Sequence, residues 1–254
     1  MNTNDCTMKI KLFLLSIFSF IQISYADISL PQIFGDNMVL QRESEVYLYG
    51  WASPNEIFTI TTGWDDKTIE VKTGVNAKWR ILVHTSKAGG PYDIAIRGKD
   101  NTIVLKNVLI GEVWVASGQS NMEWSANLGI DNKVDEIKNA NHPTIRFFTV
   151  AKRTSVTPQE DVSGSWEVSS PKTMADFSAV SYFFAKRIQE EIDIPIGLID
   201  ASWGASCAEV WTPEYVFNEN QELLESYKLI KPNQWAPIER STLYNAMIAP
   251  LTNF

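Results

Sequence analysis

The chain has 254 residues, a formal net charge of −8, two cysteines and two histidines. Its 44% hydrophobic and 11% aromatic content excludes a disordered chain and supplies material for a packed core. The acidic balance, without a Lys/Arg cluster, argues against a nucleic-acid backbone or an anionic membrane as partner. Two histidines argue against an all-histidine metal site, and no cofactor motif is present.

Lys9 and Lys11 precede an apolar run of 12 residues, 12–23, too short for the about 20 apolar residues of a bilayer-spanning helix. The run ends in Ser24-Tyr25-Ala26, whose small residues suit signal peptidase. Residues 1–26 are therefore expected to be a signal peptide, and the mature chain to be periplasmic or secreted. Cleavage removes Cys6 and leaves Cys207 alone, so no internal disulfide is expected.

Residues 27–106 read as a small all-β, sandwich-like domain. β-prone runs at 46–51, 57–62, 68–72, 79–84, 92–97 and 102–105 are separated by turn clusters such as Ser53-Pro54-Asn55 and Gly98-Lys99-Asp100-Asn101. His84 falls on one of these strands. Trp51, Trp64 and Trp79 either fill the core or stack on a sugar.

The period changes after residue 107. Residues 108–116 form a nearly continuous apolar run, as in a strand buried on both faces. It breaks at Ser117-Gly118-Gln119-Ser120-Asn121 and passes into a first helical turn. A second strand is expected at 145–150. Phe177, Val180, Phe184, Ile188 and Ile192 then mark the apolar stripe of a helix, and a third strand at 196–200 ends in Ser202-Trp203-Gly204-Ala205-Ser206. Strand, helix and parallel strand imply an α/β layered domain over 107–254, with chemistry at the carboxyl ends of its strands.

Ser120 sits where a buried strand turns into a helix. Gly118 permits the tight turn, and the helix start offers free N–H groups to an oxyanion. The spacing is not Gly-x-Ser-x-Gly, because Met122 stands at the last position, and a helix N-cap is the competing account.

Residues 111–123, Gly-Glu-Val-Trp-Val-Ala-Ser-Gly-Gln-Ser-Asn-Met-Glu, resemble the nucleophile block of the sialate O-acetylesterase family, a branch of the SGNH (GDSL-like) carbohydrate esterases. Residues 30–41, 177–184 with 195–199, 202–212 and 243–251 resemble further blocks in the same order. The resemblance implies a partial SGNH-hydrolase domain, flavodoxin-like and three-layered, behind the β-domain. It implies removal of O-acetyl groups from sialic acid or another acetylated glycan, with Ser120 as nucleophile and Gly204 N–H in the oxyanion hole. Gly118, Gln119 and Asn121 support that turn. Ala205 stands where the family has a second glycine.

The family's oxyanion Asn, after a Trp-Tyr-Gln-Gly-Glu stretch, and its base His, in an Asp-x-x-His block, have no counterpart before Phe254. The chain is expected to be C-terminally truncated, and the alternative to an esterase is a non-catalytic remnant with at most residual glycan binding. A sheet so shortened should leave an apolar edge and helix face uncovered. His142 reads as a surface loop residue and Cys207 as a small packing residue. Glu123 reads as a first-turn partner of the helix dipole. Trp124, Trp203 and Trp211 lie near the turn, to stack on sugar or to pack.

Overall fold

The computed structural model describes residues 27–254, so the expected signal peptide lies outside the described residues. Among the described residues ten strands form two sheets. The first six are β1 (Val39–Gln41), β2 (Glu45–Trp51), β3 (Ile57–Thr62), β4 (Thr68–Lys72), β5 (Lys78–His84) and β6 (Gly89–Arg97). Alternation of buried and exposed residues in β2, Val46 and Leu48 inward and Glu45 and Tyr47 outward, is the period of a half-buried strand. β2 and β5 pair antiparallel as a separate two-stranded sheet. Trp79 is buried there, edge-on to Phe58 at 5.2 Å, so it is core and not a sugar platform. Trp51 and Trp64 are half-buried, and the Trp64 indole donates to the His84 carbonyl.

β7 (Thr102–Gly118) is 17 residues long and runs through residue 107, where the period changes in the sequence. It changes partners along its length. Residues 102–110 pair antiparallel with β6, while Glu112 to Gly118 pair parallel with β10 (Ile196–Ser202). β8 (Ile145–Thr149) and β9 (Trp166–Val168) extend the sheet beyond β10, giving the order β4-β3-β6-β7-β10-β8-β9, with β1 parallel to β7 beside it.

All seven residues of β10 are buried, as in a strand covered on both faces. The first α-helices after β7 are α1 (Ser120–Glu123), α2 (Lys133–Lys138), α3 (Pro171–Asp176) and α4 (Ala179–Ile192). On one side Ile196 and Leu198 join Ile145, Phe147, Met174, Phe177 and Tyr182 beneath α3 and α4. On the other, Ile199 and Ala201 join Phe148, Trp166, Val210, Met247 and Leu251 and continue into the core of the β-rich unit. The result is a mixed α/β fold with layers on both faces of the sheet.

Two expectations of burial are corrected. The helix buries Ala179, Ser181, Tyr182 and Ala185, while Val180 and Phe184 of the apolar stripe are 51% and 41% exposed and Phe177 caps α3 instead. The buried stripe is rotated one position from the expected one and runs through Ser181, Tyr182 and Ala185, with Tyr182 fully buried beside Phe147. The carboxyl half of β7 is likewise open: Trp114 is 44% and Val115 53% exposed, and no described strand pairs with its second edge. Trp114 packs edge-on to Phe184 at 5.1 Å, lining an apolar cleft of about 260 Å³ with Met122 and Leu198. The apolar edge and helix face expected to lie uncovered are therefore exposed.

A buried guanidinium ties the β-rich unit to the start of β8. Arg146 donates to the Pro143 carbonyl (2.9 Å), Asn37 Oδ1 (3.1 Å) and Asn107 Oδ1 (3.4 Å), and Asn37 and Asn107 bond each other at 2.7 Å. Both asparagines hold left-handed backbones, φ 68° and 57°, at which asparagine is tolerated best after glycine. Arg146→Ala strips these acceptors and opens a cavity. It is expected to cost about 2–4 kcal/mol in a urea titration; a loss under about 1 kcal/mol would show the network to be dispensable.

Candidate functional site

The site is built by the register of two strand ends. Gly118 and Ser202 are paired residues, and the Trp203 N–H donates to the Gly118 carbonyl at 3.0 Å. The chain after each strand therefore leaves the sheet at the same level. Gly118 has φ +149°, a backbone that L side chains rarely adopt, so glycine is required for the turn. Gln119 then caps the single-turn helix α1 (Ser120–Glu123).

Ser120 and Gly204, 84 positions apart in sequence, meet here. A Cβ placed on Gly204 would stand 3.4 Å from Ser120 Cβ and 3.0 Å from Glu123 Oε2, so only glycine fits without displacing its neighbours. Ser120 is exposed at the surface. Its hydroxyl donates to Gln119 Oε1 at 2.8 Å and its backbone N–H donates to the same oxygen at 2.9 Å. Asn121 is exposed and engages no partner among the described residues. Met122 turns inward, its sulfur accepting from the Ser181 hydroxyl of α4 at 3.5 Å.

Ala205 keeps the left-handed geometry, φ 63°, that a second glycine would hold at no steric cost. The turn is preserved under strain.

Glu123 does more than face the helix dipole. Its Oε2 accepts the Gly204 N–H, and its Oε1 is paired with Lys152 Nζ at 2.5 Å. Lys152 also lies 5.5 Å from the centre of the Trp203 ring. Asp200 is buried beneath them and accepts from the Ser202 hydroxyl at 2.6 Å. Burial pushes its carboxyl up to about 6; the Ser202 hydrogen bond opposes this, the Glu123 charge adds to it, and Lys152 lowers it. Sequence spacing offered no signal for this cluster, because Lys152 and Gly204 lie 29 and 81 positions from Glu123.

The two histidines stand elsewhere. His142 precedes β8 at the amino end of the parallel strands, roughly 20 Å along the sheet from Ser120 at about 3.3 Å per residue. Its Nε2 meets the Tyr182 hydroxyl at 3.2 Å, and burial with nearby Lys186 pushes the imidazole below its ordinary pKa. His84 is exposed on β5. Cys207 packs against the core, and burial pushes its thiol up, away from a reactive thiolate. Trp124, Trp203 and Trp211 anchor their indoles on Gly129 O, Trp235 O and Ser206 Oγ, with Trp124 the most exposed of the three. Among the described residues no group of three His, Cys, Asp or Glu side chains is placed to hold a metal ion, and no helix is long and apolar enough to cross a membrane.

A mixed α/β sheet with layers on both faces, and a serine and a glycine at adjacent carboxyl ends of its parallel strands, is the arrangement of an SGNH-like hydrolase domain. More particularly, residues 110–252 match the model of a family described as carbohydrate esterase, sialic acid-specific acetylesterase, and the chain belongs to that family. Sialate O-acetylesterases from Homo sapiens and Rattus norvegicus are 29% and 26% identical to it over 242 and 260 residues. These alignments cover 86% and 85% of this chain but 45% and 48% of the relatives, so the chain spans about half their length. A crystal structure of a carbohydrate acetylesterase from Xanthomonas citri superposes with a TM-score of 0.79 at 32% identity, covering 89% of this chain and 49% of that one.

Two stability predictions follow from the local geometry. Ala205→Gly relieves the left-handed strain and is expected to stabilise by up to about 1 kcal/mol in a thermal melt, a destabilisation being the contrary result. For Asp200 the folded state keeps its proton to about pH 6, whereas the unfolded carboxyl releases it near 3.8, so stability falls as pH rises between these values. Asp200→Asn should thus be more stable than the native chain by about 3 kcal/mol above pH 6, with the advantage fading towards pH 3.8. A pH-independent difference in denaturant titrations would refute this.

Proposed function

We propose that this chain carries the nucleophile and the oxyanion-binding groups of a serine esterase that removes O-acetyl groups from sialic acid or another acetylated carbohydrate. The observation that carries the reading is the meeting of Ser120 and Gly204 at neighbouring strand ends that leave the sheet at the same level. The family supplies the substrate class. Family membership also favours the esterase over the non-catalytic remnant.

In this reading Ser120 Oγ attacks the acetyl carbonyl carbon, and the carbonyl oxygen becomes an oxyanion held by the Ser120 and Gly204 N–H groups. The carbon–oxygen bond to the sugar breaks, and the sugar oxygen leaves with a proton. Water then attacks the acetyl-serine, releasing acetate and restoring Ser120. The Gln119 side-chain oxygen orients the serine hydroxyl but is no base. The proton acceptor is a separate requirement that neither histidine meets from its place in the fold.

Residues 12–26 supply the further proposal that the chain is exported to the periplasm or beyond, with residues 1–26 removed.

Acetate release from O-acetylated sialic acid, measured for the full chain and for Ser120→Ala, tests the reading. A Ser120-dependent rate, reduced at least about 10³-fold by the alanine, is expected. Equal rates, or no labelling of Ser120 by a fluorophosphonate, would overturn it.

A further inference from the structure

We propose that Glu123 is a positioning residue that controls access to the oxyanion hole, an inference that rests on the esterase reading above. A hydrogen-bond donor aimed at a developing oxyanion works only if it is free to meet it. Here it is not free. The Gly204 N–H is taken by Glu123 Oε2, and the other carboxylate oxygen is pinned by Lys152 Nζ at 2.5 Å.

The charge sharpens the conflict. A carboxylate on the Gly204 N–H stands where the ester oxygen must arrive, and its negative charge opposes the charge that develops there. The Ser120 N–H is also occupied, but by the neutral amide oxygen of Gln119, which a side-chain rotation removes. The Gly204 donor is therefore the one held by an ion.

Two positions are open to Glu123. In the closed one it bridges Gly204 and Lys152. In the open one it leaves Gly204 and turns to solvent with Lys152, freeing the N–H. The Glu123 and Lys152 side chains are 34% and 41% exposed, so the movement uncovers no core. Lys152 lies beside Trp203, the residue before Gly204, so the cation that pins the carboxylate sits on the same strand end as the donor. The ester carbonyl and the product acetate thus compete with Glu123 for one N–H.

The test uses the full chain labelled with ¹⁵N-glycine, with sodium acetate as the probe anion, in the native protein, Glu123→Ala and Glu123→Gln. The Gly204 amide proton should lie downfield in the native chain and move upfield in Glu123→Ala. Acetate should then return it downfield, with affinity at least about tenfold above that of the native chain, the scale of releasing a charge-assisted hydrogen bond. Glu123→Gln keeps the shape and loses the charge, so its affinity should fall between, and it serves if the alanine variant does not fold. Equal acetate affinity across the three, or an unmoved Gly204 proton, would overturn the proposal. Fluorophosphonate labelling of Ser120 is read separately. Faster labelling of Glu123→Ala supports both ideas, whereas no labelling in any variant sinks the esterase reading and leaves the acetate titration to decide the gate.

Discussion

The structure depends on one strand changing partners. β7 leaves the antiparallel ladder of the β-rich unit and enters the parallel ladder of the α/β layer between residues 110 and 112. At that junction Glu112 is clamped by Gln41 Nε2 at 3.0 Å and Arg42 Nε at 2.8 Å, and Gln41 Oε1 accepts the Val113 N–H where β1 has ended. Partial burial pushes the Glu112 carboxyl up, but the hydrogen bonds from Gln41 and Arg42 and the guanidinium charge hold it below its ordinary value. A side chain thus extends the ladder by one bond after the backbone of β1 has turned away. On its other side the Glu112 N–H donates to the Pro195 carbonyl at 3.0 Å and starts an unbroken parallel ladder with β10, which carries the register six residues on to Gly118 and Ser202, where the site begins.

The site is polar on the inside and satisfied by its own groups. Gln119, Glu123, Lys152, Asp200 and Ser202 fill the hydrogen bonds that the two strand ends leave open. Such self-satisfaction is what keeps irregular backbone stable at a partly buried turn. It also means that a ligand oxygen must displace an internal partner. Binding and local rearrangement are coupled by the hydrogen-bond count alone.

The helix-covered face of the α/β layer is packed over β8 and open at the β7 edge. Phe147 and Phe177 stack at 4.1 Å beneath α3, whereas Trp114, Val115, Val180 and Phe184 face outward together. A contiguous apolar surface of this kind beside an unpaired strand edge is a place where polypeptide associates. The helical period was visible in the sequence, but period alone did not say which apolar residues face the sheet. The sheet took the stripe of Ser181, Tyr182 and Ala185, with Tyr182 fully buried, and left Val180 and Phe184 at the rim.

Much was local and therefore readable. The strands at 57–62 and 68–72 coincide with β3 and β4, because alternation and turn residues act within a few positions. The serine turn with Gly118, and the second turn at Gly204, followed from strand ends that small residues interrupt. The sequence by itself determined most of the strands, α4, the family and the two turns, but not the short β1, β9 and α3. Tertiary structure decided that the two turns share one level, that Glu123 reaches Gly204 and Lys152, and that Ala205 bears a left-handed backbone. These rest on pairing register and on charges brought together from 29 and 81 positions apart, and a one-dimensional pattern carries neither.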